Sequence, residues 1–180
     1  NPIFLAYSLT MVLSFGAIFG YIAYSSYIVE EILGWSPIEY SFIFAINGIL
    51  LMITGLIGAK ISRSWDPRRV LVVALVMNSL GAVGILVVAL FGSPNSQVVL
   101  PLLALMASSM GFLFGPATTM ALAQVRQNAG TALALSGAAQ FVVAGIAAVL
   151  VGLEHPNHLL PFGLVVSILS VAAIFTAWWG

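Results

Sequence analysis

The sequence predicts an all-α membrane protein, a single bundle of six transmembrane helices over residues 1–180. Three observations carry that expectation. First, 62% of the 180 residues are hydrophobic and only 6% are charged, whereas a soluble domain carries roughly 25% charged residues to face water. Second, the apolar residues fall into long runs, each near the roughly 20 residues that cross about 30 Å of hydrocarbon. Third, the five basic and five acidic side chains all sit in or beside the breaks between those runs.

The runs follow in order. The first covers about Ile3–Val29 and ends at Glu30-Glu31 and Gly34-Trp35-Ser36-Pro37. The second covers about Tyr40–Ala59, and the stretch from Lys60 to Arg69 separates it from the third, about Val70–Gly92. Gly92-Ser93-Pro94-Asn95 is a turn signal leading into the fourth, about Val98–Ala123. Gln124 to Gly130 breaks the chain before the fifth, about Thr131–Leu153, with Thr131 as its expected cap. Glu154-His155-Pro156-Asn157 closes that run, and the sixth covers about Leu159–Trp179. No stretch alternates with period two, which argues against a β-barrel.

The loop charges set an expected orientation. Lys60, Arg63, Arg68 and Arg69 fall in the second loop and Arg126 in the fourth. The first, third and fifth loops hold no Lys or Arg, while Glu30, Glu31, Glu39 and Glu154 lie in or beside the first and fifth. Basic residues concentrate on the cytoplasmic side of membrane proteins. Both chain ends are therefore expected in the cytoplasm. The start at Asn1 and the end at Trp178-Trp179-Gly180 are read as cuts in a longer chain.

Composition also excludes chemistry. Zero formal net charge leaves no basic field for nucleic acid. Without cysteine there is no disulfide, thiolate nucleophile or thiolate metal site. No His or Lys lies at membrane depth to activate a serine, so no enzyme is expected. His155 and His158 alone are too few to hold a metal, and nothing calls for a cofactor.

Helices associate in lipid through small and polar residues, so these mark expected inward faces. Tyr7, Ser14 and Tyr21 recur at seven-residue spacing, with Ser25 one turn beyond and Gly16-x-x-x-Gly20 alongside. The second run has Tyr40, Asn47 and Thr54, flanked by Gly48, Gly55 and Gly58. The fourth has Ser108, Gly111, Gly115 and Thr118, followed by an expected kink at Pro116. The fifth has Ser136 and Gln140. The third and sixth are plainer, with Asn78 their only amide. These residues either line a polar cavity or pack the helices together. The mid-span amides Asn47 and Gln140 must find partners or water, since a bare amide in hydrocarbon costs several kcal/mol.

The segment from Gly58 to Arg69, Gly-Ala-Lys-Ile-Ser-Arg-Ser-Trp-Asp-Pro-Arg-Arg, resembles the degraded second copy of the loop motif of major facilitator superfamily transporters. Ser62 stands where the stronger copy has Asp. Further segments narrow the similarity to the Bcr/CflA-type drug-resistance transporters: Phe15 to Glu31 with Gly34-Trp-Ser-Pro37, Phe44-Ala-Ile-Asn-Gly48, Gly115 to Ala123, and Ala129 to Phe141 continuing to Val151-Gly-Leu. That family often has Pro where this chain has Ser26.

The resemblance implies the C-terminal six-helix half of a twelve-helix antiporter, built as two inverted three-helix repeats, in a bacterial inner membrane. Its partners would be drug-like molecules, protons, the bilayer and an N-terminal half absent here. Tyr21, Ser25, Asn47, Ser108, Thr118 and Gln140 are then the expected cavity residues. Gly58, Lys60, Arg63, Asp66, Arg68 and Arg69 form the expected cytoplasmic loop motif that anchors the closed state. Two alternatives remain open: a metabolite carrier (sugar or amino acid) on the same fold, and a six-helix scaffold without cargo.

Overall fold

The computed structural model describes residues 2–125, 129–152 and 159–180. Arg126, Glu154, His155 and His158, and with them part of the charge pattern, lie outside the described residues. Six helices are long and apolar enough to cross a membrane, and no strand occurs among the described residues. They are α1 (Pro2–Tyr27), α2 (Pro37–Ile61), α3 (Pro67–Phe91), α4 (Ser96–Leu122), α5 (Ala129–Gly152) and α6 (Leu160–Trp179).

α2, α3 and α4 begin earlier than their apolar runs because caps and prolines start them. Ser36 caps α2 through a capping box with Glu39, and Pro37 takes the first turn, where a missing N–H costs nothing. Asp66 caps α3 by accepting from the Arg68 N–H at 3.0 Å, and Asn95 caps α4 by accepting from the Gln97 N–H at 2.9 Å. Helix α1 continues into a π-helical turn, Ile28–Ile32. Gly34 then takes a left-handed φ of 74° that a side chain would resist.

One local expectation is corrected. α5 begins at Ala129, so Thr131 sits inside the first turn and is not the cap. α4 stays helical through both Pro101 and Pro116.

Packing follows a symmetric pattern. α1 packs on α5 and α6, α4 packs on α2 and α3, and α1 meets α4 as α3 meets α6. Exchanging α1–α3 with α4–α6 reproduces the same principal pairings. Each three-helix unit crosses the membrane an odd number of times, so the second enters from the opposite side. That is an inverted repeat.

Glycines permit the close approaches. A Cβ on Gly111 would collide with Leu51, Thr54 and Gly55, where α4 meets α2. A Cβ on Gly163 would stand 2.9 Å from Leu86 Cα, where α6 meets α3. Gly16 and Gly20 likewise face side chains of α5 and α6. Most glycines of the sequence stripes are therefore packing residues, although Gly48 and Gly115 face open space.

Burial is uneven. α1 is enclosed over 61% of its most apolar stretch, α2 over only 11% and α5 over 22%. Asn47 and Gly58 are the only fully buried residues of α2. α2 and α5 thus expose most of their surface, which hydrocarbon or another apolar body must cover.

Candidate functional site

Five polar and aromatic side chains meet between α1 and α2. Tyr21 and Ser25 stand one turn apart on α1, and Tyr40, Phe44 and Asn47 share one face of α2. The helices run antiparallel, so the pairs form two rungs. Asn47 Nδ2 donates to Tyr21 Oη at 2.8 Å, and both residues are buried. Ser25 Oγ and Tyr40 Oη share a hydrogen bond at 3.0 Å. Phe44 stacks on Tyr21 at 6.4 Å and lies 5.7 Å from Tyr40. These side chains join two helices whose backbones scarcely approach.

Beside the Asn47–Tyr21 rung lies a small recess of about 80 Å³. Ile18, Ile22, Phe44 and Leu51 line it, and Ala107 of α4 closes one side. Nothing lies within 4 Å of where a Cβ on Gly48 would stand, so the recess stays open on that side. It is an apolar hollow with one amide and one phenol at its edge.

A second patch joins α1, α4 and α5. Phe15 meets Phe114 at 6.0 Å and Phe141 at 5.5 Å, both edge to face. Phe15 and Ile22 stand seven residues apart on the same face of α1. The phenylalanine patch and the recess therefore adjoin the same face of α1.

The expected cavity residues divide. Tyr21, Ser25 and Asn47 come together as described. Ser108 is half-buried and donates back to Ala104 O of its own helix at 2.6 Å. Thr118 Oγ1 lies 3.9 Å from Met11 Sδ, a weak acceptor across α1 and α4. Gln140, half-buried next to Phe141, makes no side-chain hydrogen bond among the described residues. Its neighbour one turn back, Ser136, is buried and donates to Ser8 Oγ at 3.1 Å.

The expected loop-motif residues lie at the end of α2, at the start of α3 and between them. Gly58 packs against Gly111 and Phe112, with a Cβ position 3.2 Å from Gly111 O. Asp66 caps α3. Lys60, Arg63, Arg68 and Arg69 are exposed, and none of them pairs with a carboxylate among the described residues.

Sequence reasoning missed three features. Asn78 Nδ2 donates to Ser170 Oγ at 3.0 Å, fully buried between α3 and α6. Thr10 and Thr176 hydroxyls meet at 2.9 Å between α1 and α6. The phenylalanine patch is the third. The lone amide of α3 is the one signal that pointed to any of them.

The likeness to known proteins agrees with the architecture. The family model of the Major Facilitator Superfamily matches residues 1–148. The chain belongs to this superfamily. A protein of Bacillus subtilis described as an uncharacterized MFS-type transporter, YdgK, is 23% identical over 168 residues, or 93% of this chain. The chain spans 41% of that relative's length. No solved structure matches. The superfamily chain is thus a multi-pass membrane protein, and its six apolar helices have the make-up of a major facilitator half.

Proposed function

We propose that this chain is the C-terminal half of a proton-coupled transporter of the Bcr/CflA type, which exports drug-like molecules by alternating access. The observation that carries the reading is the wall formed by Tyr21, Phe44 and Asn47, continued by Phe15, Phe114 and Phe141. Flat aromatic faces with a few uncharged hydrogen-bonding groups suit amphipathic aromatic cargo. A carboxylate or ammonium metabolite would want a fixed charge, and every described Asp, Glu, Lys and Arg lies in a loop or within a turn or so of one. The segments that resemble the Bcr/CflA type include the Asn47 and Gln140 regions.

On this reading proton handling lies elsewhere. Proton coupling uses titratable groups within the membrane, and an N-terminal half would supply them. That half would cover the exposed faces of α2 and α5, and the two bundles would rock against each other. The loop charges support cytoplasmic ends in a bacterial inner membrane.

The test is ethidium export by cells producing the full-length protein with Asn47→Leu and Gln140→Leu. Export should fall at unchanged protein abundance. Undiminished export of ethidium and of a second, unrelated dye would overturn the cavity assignment.

A further inference from the structure

Between α3 and α6, at the end of the bundle that carries the basic loop, runs a groove of about 180 Å³. Val72 and Val76 form one wall, Ile174 and Trp178 the other, and Arg68 stands at its mouth. Leu75 and Ala177, both nearly fully buried, form its floor. The walls are open to the surroundings: Val72 is 49% and Trp178 is 80% exposed.

The groove has the polarity of a phospholipid. Arg68 lies in the first turn of α3 and Val76 eight residues on, so the apolar walls reach about 12 Å inward from the charge. A headgroup at Arg68 would leave an acyl chain along Val72 and Val76. The Arg68 guanidinium pairs with no carboxylate among the described residues. Asp66, the one described acidic side chain at this end, already accepts from the Arg68 backbone N–H. Lys60, Arg63 and Arg69 add positive charge to the same rim. Trp178 places an indole, apolar in body and polar at its N–H, at the level where such rings sit in a bilayer. Basic pockets between membrane helices hold anionic headgroups.

We infer that the α3–α6 groove is a binding site for one anionic phospholipid, with its phosphate on Arg68 and an acyl chain between Val72, Val76 and Trp178. It requires only that the helices span a bilayer, so it stands whatever the cargo is. The lipid would seal the outer seam of α3 and α6 at its charged end.

The test is lipid titration of the purified, delipidated full-length protein, read by native mass spectrometry with each variant compared against the unsubstituted protein. Phosphatidylglycerol and phosphatidylcholine of equal chain length serve as probes. One phosphatidylglycerol should bind in preference to phosphatidylcholine. Arg68→Gln should weaken it by roughly fivefold, as one interfacial basic residue contributes about 1 kcal/mol. Arg69→Gln should change it less than Arg68→Gln does. Val72→Phe, on an exposed wall, should weaken both lipids by narrowing the groove, and Val76→Phe serves if that variant is unstable. Three results would each overturn the site: equal loss from Arg68→Gln and Arg69→Gln, no loss from Arg68→Gln, or equally tight competition by soluble glycerol phosphate.

Discussion

Asn47 of α2 donates its amide to the Tyr21 hydroxyl of α1 at 2.8 Å, and that bond joins two helices with little backbone contact. α2 otherwise leans on α4, through the glycine contact at Gly111. Its position relative to α1 therefore depends on two side-chain rungs, Asn47–Tyr21 and Tyr40–Ser25. A helix held to its neighbour by such rungs can shift when something competes for the amide, as a cargo in the adjoining recess would.

The Asn47–Tyr21 bond should be measurable as a coupling energy. Interhelical hydrogen bonds in membrane proteins average about 0.6 kcal/mol and reach about 1.7. A double-mutant cycle of Asn47→Leu and Tyr21→Phe, followed by unfolding in mixed micelles, should return a value in that range. Additive effects would mean the bond contributes nothing to the fold.

The α2–α4 contact should be intolerant at one glycine and tolerant at another on the same helix. Gly111→Ala drives a methyl into Leu51, Thr54 and Gly55 and should cost about 1–3 kcal/mol through overpacking. Gly115→Ala meets nothing within 4 Å and should be neutral or slightly stabilising. Thermal unfolding of both variants checks the pair. Equal effects would contradict the close approach.

Inside the α3–α6 seam, the Asn78 amide depends on one hydroxyl. Its Nδ2 bonds Ser170, while its Oδ1 is buried without a partner. Ser170→Ala should therefore destabilise by about 1–2 kcal/mol, since it leaves the whole amide bare. Adding Asn78→Leu to that variant should recover most of the loss, because no polar group is then stranded. A double variant less stable than Ser170→Ala alone would show that the amide has another role.

The sequence made the architecture legible because lipid imposes length and apolarity on each span separately. Six runs could be counted without knowing how they pack. Their starts were missed by two or three residues at Pro37, Pro67 and Ser96, because polar caps and prolines begin a helix before its apolar part does. The heptad Tyr7, Ser14, Tyr21 with Ser25 was legible for a similar reason: spacing along one helix reports one face, and all four are buried. Partners across helices were not. Asn78 and Ser170 are 92 residues apart, and Phe15 meets Phe114 and Phe141 only because the repeats interlock. Polar residues also marked expected inward faces on α2 and α5 without showing how little of either the bundle buries. Exposure of Leu and Ile is ordinary in lipid and leaves no signal in composition.

These 180 residues contain no cysteine, so once any cysteine elsewhere in the full-length protein is replaced by serine, a single introduced thiol reports one position. The measurement that bears most directly on the proposed transport wall is labelling of full-length protein in membranes by a water-soluble maleimide. Two variants suffice, Gln140→Cys and Leu80→Cys. Leu80 is 61% exposed on α3 and should face lipid, whereas Gln140 should face a water-filled path. Rapid labelling at position 140 with little at position 80 is the expected result. An inert thiol at position 140, or equal labelling at both, would contradict the assignment of α5 to the wall of a transport path.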